Sequence, residues 1–194
     1  MTNQIQTLLT ELEQFGKTND ATNKERSRRM LNITRDTGQF LAVLVRALAA
    51  NRVLEIGTSN GYSTLWLADA AQTVDGTVIT VESSEYKIKL ATKNFVRSGL
   101  DSIITLIHDD ANSVLTHFQK ESFDLLFLDS ERSQYVAWWP NIKRLLRPRG
   151  LLVVDNAISH ASELAPFVAM VESDESFTTS LVPVGNGEFL AVKK

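Results

Sequence analysis

Three side chains with hard oxygen donors stand at matching places in this 194-residue chain. Asp129 follows the apolar run FDLLFL, and Asp155 with Asn156 follows LLVV. Were those runs neighbouring strands, they would lie about 4.8 Å apart and the three side chains would converge. Two carboxylates and an amide oxygen suit Mg²⁺ or another hard divalent cation, which would keep open positions for a substrate's oxygens and a water. The plainer alternative is that the aspartates only orient a cofactor or cap their loops.

A second constellation is VLEIGTSNGYST, residues 53–64. Gly57 and Gly61 bracket a tight loop, and a helix should start near Tyr62. Glycine lets backbone come close to a ligand, and a helix start offers free N–H groups to a carboxylate. The spacing is G-x-x-x-G, not the G-x-G-x-x-G of dinucleotide sites. Glu55 would repel a phosphate and suits a cationic sulfonium better. An ordinary strand–turn–helix junction is the alternative, but Glu55, both glycines and Ser63 agree on a ligand site. Glu82 lies 25 residues after Gly57, at the end of the next strand. A carboxylate there can accept both hydroxyls of a ribose. Asp109, Asp110 and Ala111 follow a third strand. An aspartate here can meet an adenine amino group while alanine leaves space for the ring. Asp110 reads equally well as a helix N-cap, and both can hold.

These residues need a frame. Strands are expected at 52–56, 77–81, 103–107, 123–128 and 151–154, each followed by a helical pattern, with RPRG (147–150) as a helix stop. Two last strands are expected at 177–184 and 188–193. Such alternation means an open parallel sheet with helices on both faces. Ligands bind such sheets at the carboxyl ends of the strands, where every residue above is expected to lie. Ahead of the sheet, Ile5, Leu8, Leu9, Leu12 and Phe15 form one helix face that needs a partner. Residues 16–29 are polar and read as an exposed arm or a helix start.

Composition narrows the classes. The chain is 43% hydrophobic with a net charge of −3, which suits one globular domain and argues against a broad basic nucleic-acid face. It has no cysteine, which removes disulfides and thiolate chemistry and fits a cytoplasmic setting. No apolar run approaches a membrane span, and the N-terminus does not read as a signal peptide. An NAD-dependent oxidoreductase is disfavoured by the loop spacing and by the absence of a Tyr-x-x-x-Lys pair.

From TGQFLAVLV onward, and most specifically in LEIGTSNGYSTLWLA, FDLLFLDSERSQY, LLRPRGLLVVDN and VGNGEFLAVKK, the sequence resembles the class I S-adenosylmethionine-dependent methyltransferases. Within them it is similar to the small O-methyltransferases of the catechol and caffeoyl-coenzyme A group. The resemblance implies a Rossmann-like α/β fold with a seven-stranded, mostly parallel sheet in the order 3-2-1-4-5-7-6, its last strand antiparallel. It implies a helical arm over 1–36, a methyltransferase domain over 37–194, and a homodimer. It also implies S-adenosylmethionine and Mg²⁺ or another divalent cation as cofactors, and a small hydroxylated acceptor.

By position, the resemblance places Glu55, Gly57, Thr58 and Ser63 around the methionine part of the cofactor, with Gly61 and Tyr62 in the same loop. Glu82 would hold the ribose, and Asp110 and Ala111 the adenine. Ile33, Asp129 and Glu131 would make further cofactor contacts. Asp129, Asp155 and Asn156 match the family's metal ligands. One departure touches catalysis. Arg132 stands where the catechol enzymes have a catalytic lysine. Arginine keeps its proton, so it can stabilise a phenolate but cannot act as a base. His160 lies five residues after Asp155 and is the alternative base, a substrate contact or a plain loop residue. Trp138 and Trp139 are expected to pack a helix on the sheet, and Lys24–Arg29 to form a solvated face, although a phosphorylated substrate could use it.

Overall fold

The computed structural model describes residues 1–194. Two helices come first, α1 (Asn3–Thr22) and α2 (Arg35–Ala47). The alternation then runs β1 (Arg52–Ile56), α3 (Tyr62–Gln72), β2 (Thr77–Glu82), α4 (Glu85–Ser98), β3 (Ile104–His108) and α5 (Ala111–His117). It continues through β4 (Phe123–Leu128), α6 (Tyr135–Leu145), β5 (Leu146–Val154), α7 (Ala161–Glu172), β6 (Phe177–Val182) and β7 (Glu188–Lys193). All seven strands form one sheet in the order β3-β2-β1-β4-β5-β7-β6. β1 to β5 are parallel, and β7 runs antiparallel to both β5 and β6.

Strand periodicity separates two cores. Val53, Leu125, Phe127 and Val153 point to the face covered by α1 to α4, while Leu54, Leu126, Leu128 and Val154 point to the face covered by α5 to α7. β4 is buried along its whole length, which explains why its sequence is continuously apolar. The apolar face of α1 folds back onto this chain. Ile5, Leu8, Leu9 and Leu12 are each 4% exposed or less and join the first core, whereas Phe15, expected on the same face, is 40% exposed. The polar stretch 16–22 continues α1, with Asn19 buried on its inner side.

Strand boundaries shift by one or two residues at β2, β3 and β6, and by more at β5. RPRG does not separate a helix from a strand but lies inside β5, which begins at Leu146. Leu146 pairs with Phe123, and the ladder shifts register before Leu125 meets Leu151. The irregularity lets Pro148, which has no N–H, sit within a strand. Asp124 pins this corner. Its Oδ2 accepts the backbone N–H groups of Asn51 and Arg52, both at 2.8 Å, and its Oδ1 pairs with Arg147. Asp124→Ala is expected to cost about 2–4 kcal/mol, because two backbone donors lose a charged acceptor in a buried place. A urea unfolding midpoint measures this; a change below about 0.5 kcal/mol would mean that water replaces the carboxylate.

Candidate functional site

Between β1 and β4 the chain reverses its direction of sheet growth. β2 and β3 lie to one side, β5, β7 and β6 to the other, and an open α/β sheet has its crevice at such a point. A cleft of about 810 Å³ opens there over the carboxyl ends of the strands. Its roof is the segment between α1 and α2. Asp20 accepts the N–H groups of Met30 and Leu31 at 2.6 and 2.8 Å, and Ser59 Oγ donates to the Met30 carbonyl at 2.7 Å. The roof backbone is thereby tied to both α1 and the β1 loop.

On the β2–β3 side, Glu82 faces the cleft. Its Oε2 accepts Ser59 N–H at 2.9 Å, and its Oε1 accepts Ser83 and Ser84 N–H at 3.0 and 2.9 Å. A carboxylate has about four acceptor positions. One therefore remains for a ligand hydroxyl while Ser59 stays bound, where the sequence suggested two. Asp110 caps α5 by accepting Asn112 N–H at 2.8 Å, and Ala111 lines the cleft beside it. The N-cap and a place beside a ligand coexist.

The glycine loop divides its labour. Gly57 lines the cleft with φ 109°, and a Cβ there would lie 2.0 Å from the Asp129 carbonyl oxygen. Gly61 has φ 88° and faces Phe95, where a Cβ would lie 2.6 Å from the ring. It shapes the loop and does not reach the cleft. Glu55 does not reach it either. Its carboxylate is fully buried and accepts hydrogen bonds from Ser63 at 2.5 Å, Thr64 at 2.5 Å and Thr80 at 2.6 Å. Burial pushes the Glu55 carboxyl up, and those three hydroxyls oppose the shift. Its visible work is to brace the loop from behind. Ile33, Thr58, Tyr62 and Ser63 line a recess of about 10 Å³ that shares Gly57, Ser59 and Asp129 with the cleft. That is room for about one water. The Tyr62 phenol leaves this recess and donates to Glu13 at 2.5 Å; burial and that carboxylate hold it protonated.

The strand tips of β4 and β5 bring Asp129, Asp155 and Asn156 together, as adjacency required. Asn156 Nδ2 donates to Asp155 Oδ2 at 2.7 Å and reaches Asp129 Oδ1 at 3.5 Å. Burial first, and then Asp155 and Glu55, push the Asp129 carboxyl well up. Burial also raises Asp155. Asp155 Oδ1 receives no N–H or alcohol hydroxyl, and its hydrogen-bond partner is the buried Glu188 carboxyl that faces it. Two buried carboxylates side by side repel one another, which a divalent cation relieves, so the donor set fits one. No cage of three or more His, Cys, Asp or Glu side chains is present, so the set is two carboxylates and an amide. The Asn156 amide would have to turn to present its oxygen, which now accepts from Ser159 Oγ at 3.2 Å.

Arg132 and His160 both line the cleft, each on the segment that follows a strand tip, β4 and β5 respectively. Arg132 is 8% exposed and donates through Nε to Glu163 Oε2 at 2.8 Å. That bond holds the Glu163 carboxyl below its usual range. The His160 ring shares a hydrogen bond with Ser159 Oγ at 2.9 Å. Glu131 sits at the rim and accepts from Ser133 Oγ at 3.1 Å. Trp139 packs against Phe167 and Phe177, with ring centroids 5.9 and 4.9 Å apart, as expected of a helix on a sheet. Trp138 is buried too, yet its edge reaches the cleft, and its Nε1 donates to Asn112 at 2.5 Å.

Sequence reasoning passed over Glu188. This side chain is wholly buried at the start of β7, accepts from Thr37 Oγ1 at 2.9 Å, and has its other oxygen without a donor. Burial, then the facing Asp155 carboxylate, push it up to about 10. Only the pairing of β7 beside β5 brings the two carboxyl groups face to face, so no local signal could have found them. Arg26, Arg29 and Glu163 also line the cleft without having been singled out as site residues.

Fold and strand-tip site together are those of a Rossmann-like methyltransferase. The family model for O-methyltransferases matches residues 6–194, and the chain belongs to that family. It is 35% identical over 144 residues to the catechol O-methyltransferase of Mycobacterium tuberculosis, covering 74% of this chain and 62% of that protein. A similar relationship, 34% over 131 residues, links it to the catechol O-methyltransferase of Niastella koreensis, covering 66% of this chain and 59% of that one. Among solved structures, the O-methyltransferase of Bacillus cereus in complex with SAH superposes with a TM-score of 0.81 at 25% identity, over 97% of this chain and 91% of that one.

Proposed function

We propose that this O-methyltransferase moves the methyl group of S-adenosylmethionine to a hydroxyl of a small catechol-like or phenolic acceptor, assisted by a divalent cation. One observation carries the reading: Asp129, Asp155 and Asn156 meet at the floor of a cleft that also contains Glu82 and Ala111, with burial raising both carboxyl groups. When bound, S-adenosylmethionine supplies an activated methyl group and the cation supplies positive charge beside the acceptor hydroxyl. Glu82 takes a ribose hydroxyl, Ala111 leaves room for the adenine, and Asp110 lies within reach of its amino group. The cleft beside Gly57 receives the methionine part, with Thr58 and Ile33 behind the loop and Glu131 at the rim. Asp129, Asp155 and Asn156 hold the cation.

Arg132 stabilises the developing oxyanion, since guanidinium stays charged. Glu163 aims it. His160 is the only imidazole lining the cleft and takes the hydroxyl proton. The names of the catechol O-methyltransferase relatives and the SAH held by the Bacillus cereus structure support this reading. The test is transfer of labelled methyl from S-adenosylmethionine to catechol, with Mg²⁺ and then with excess chelator. The expected result is turnover that the chelator removes and Mg²⁺ restores; turnover indifferent to the chelator would strike the cation from the mechanism.

A further inference from the structure

The roof of the cleft carries two arginines that the proposed chemistry leaves unused. Arg26–Arg28 form one 3₁₀ turn, and Arg29 follows it directly. Residues three apart eclipse one another on such a turn, so Arg26 and Arg29 share a side. Both line the cleft. Arg28 does not, and its Nε pairs with Glu25 at 3.3 Å in solvent. Arg29 is half-buried, and its Nε is a buried donor without a partner. A buried guanidinium N–H left unpaired is costly, and a charged acceptor would recover that cost.

No side chain in the fold supplies that acceptor. Glu82, Asp109 and Asp110 belong to the tips of β2 and β3, the cofactor half. Glu163 on the far side of the cleft is engaged by Arg132 and feels the Arg26 charge without bonding Arg29. The roof is also held still: Asp20 fixes the N–H groups of Met30 and Leu31, and Ser59 fixes the Met30 carbonyl. The backbone that carries Arg29 is therefore held over the cleft, and burial of its Nε limits the side chain's freedom.

We infer that Arg26 and Arg29 bind an oxyacid group, carboxylate or phosphate, on the methyl acceptor, at the end remote from its reacting hydroxyl. The inference rests on the O-methyl transfer proposed above. Arginine's planar fork matches both oxyacids, with Arg29 as the anchor and exposed Arg26 as the steering charge. The half-enclosed position of Arg29 favours an acceptor that reaches up from the β4–β5 tips to the roof.

The test compares three acceptors at saturating Mg²⁺: 3,4-dihydroxybenzoate, 3,4-dihydroxyphenylphosphonate and neutral 3,4-dihydroxybenzamide. The native chain is expected to prefer an oxyacid acceptor over the benzamide by about tenfold or more in kcat/KM, mainly through KM. The double variant Arg26→Gln/Arg29→Gln should bring that ratio close to one. Arg28→Gln should keep it. The preferred oxyacid tells carboxylate from phosphate. Equal use of charged and neutral acceptors, or a preference that survives the double variant, overturns the inference while leaving O-methyl transfer intact. So does a double variant whose main loss is in S-adenosylhomocysteine affinity, because the arginines would then serve the cofactor. If none of the three acceptors turns over, the catechol reading fails, and calorimetry of 3,4-dihydroxybenzoate with S-adenosylhomocysteine present decides the anion site by itself. Binding lost in the double variant supports the site; no binding to the native chain overturns it.

Discussion

Asp155→Ala is expected to lower Mg²⁺-dependent methyl transfer by at least about 100-fold and to leave S-adenosylhomocysteine affinity near that of the native chain. The asymmetry follows from position. Asp155 stands at the tip of β5, on the acceptor side of the crevice, whereas Glu82 and Ala111 stand at the tips of β2 and β3. The substitution takes away one of only two carboxylates in the donor set and leaves Asp129 and the Asn156 amide, too little charge to hold a hard dication well. The variant should fold, because the removed carboxyl faces both Asp129 and Glu188, and burial already disfavours its charge. Electron paramagnetic resonance of Mn²⁺ with S-adenosylhomocysteine present reads the site without any choice of acceptor. The native chain should remove the free Mn²⁺ signal stoichiometrically, and Asp155→Ala should not. Native-like turnover in the variant would show that the three residues do not hold a working cation, and would leave Arg132 and His160 to act alone.

Gly57→Ala is expected to destabilise the fold by about 3 kcal/mol or more and to abolish S-adenosylhomocysteine binding. Two separate penalties act at this position. The backbone has φ 109°, which L side chains rarely adopt, and the added methyl would lie 2.0 Å from the Asp129 carbonyl oxygen and 2.8 Å from its carbon. Neither atom can retreat cheaply. Asp129 N–H donates to the Ile56 carbonyl at 3.0 Å, and Ile56 is paired with Leu128 in the centre of the sheet. Relief must come from moving the β1 loop or the β4 tip. The first displaces the cofactor half of the cleft and the second displaces Asp129. Urea unfolding together with calorimetric titration of S-adenosylhomocysteine measures both effects. A variant with a native midpoint and native affinity would mean that the loop has another conformation of equal energy.

The sequence by itself determined the sheet and the position of the site. Short apolar runs of strand length, alternating with amphipathic helix patterns, indicate a parallel α/β sheet with its ligands at the strand tips, and the strand order came from the family resemblance. Asp129, Asp155, Asn156 and Glu82 were legible because they end or closely follow a strand, and Ala111 because it opens the helix after one, so local pattern fixes their height in the fold. Glu55 was legible as special but not as a brace. Its three hydroxyl partners come from Ser63 and Thr64 on α3 and from Thr80 on the neighbouring strand β2, and that convergence exists only after folding.

Tertiary structure alone decided the rest, because the deciding contacts join distant parts of the chain. Glu188 meets Asp155 through an antiparallel strand that returns from the C-terminus. Arg132 meets Glu163 across the β5 crossing, which commits a guanidinium the sequence had left free. The apolar stripe of α1, apart from Phe15, finds α3 and α4 of its own chain, which bury it. The basic stretch Lys24–Arg29 reads as solvated by composition. Its fate turned on Asp20 and Ser59, which hold the segment over the cleft and bring Arg26 and Arg29 to the ligand side. Local periodicity reports which face of an element is apolar, but it carries no information about which distant side chain will stand opposite.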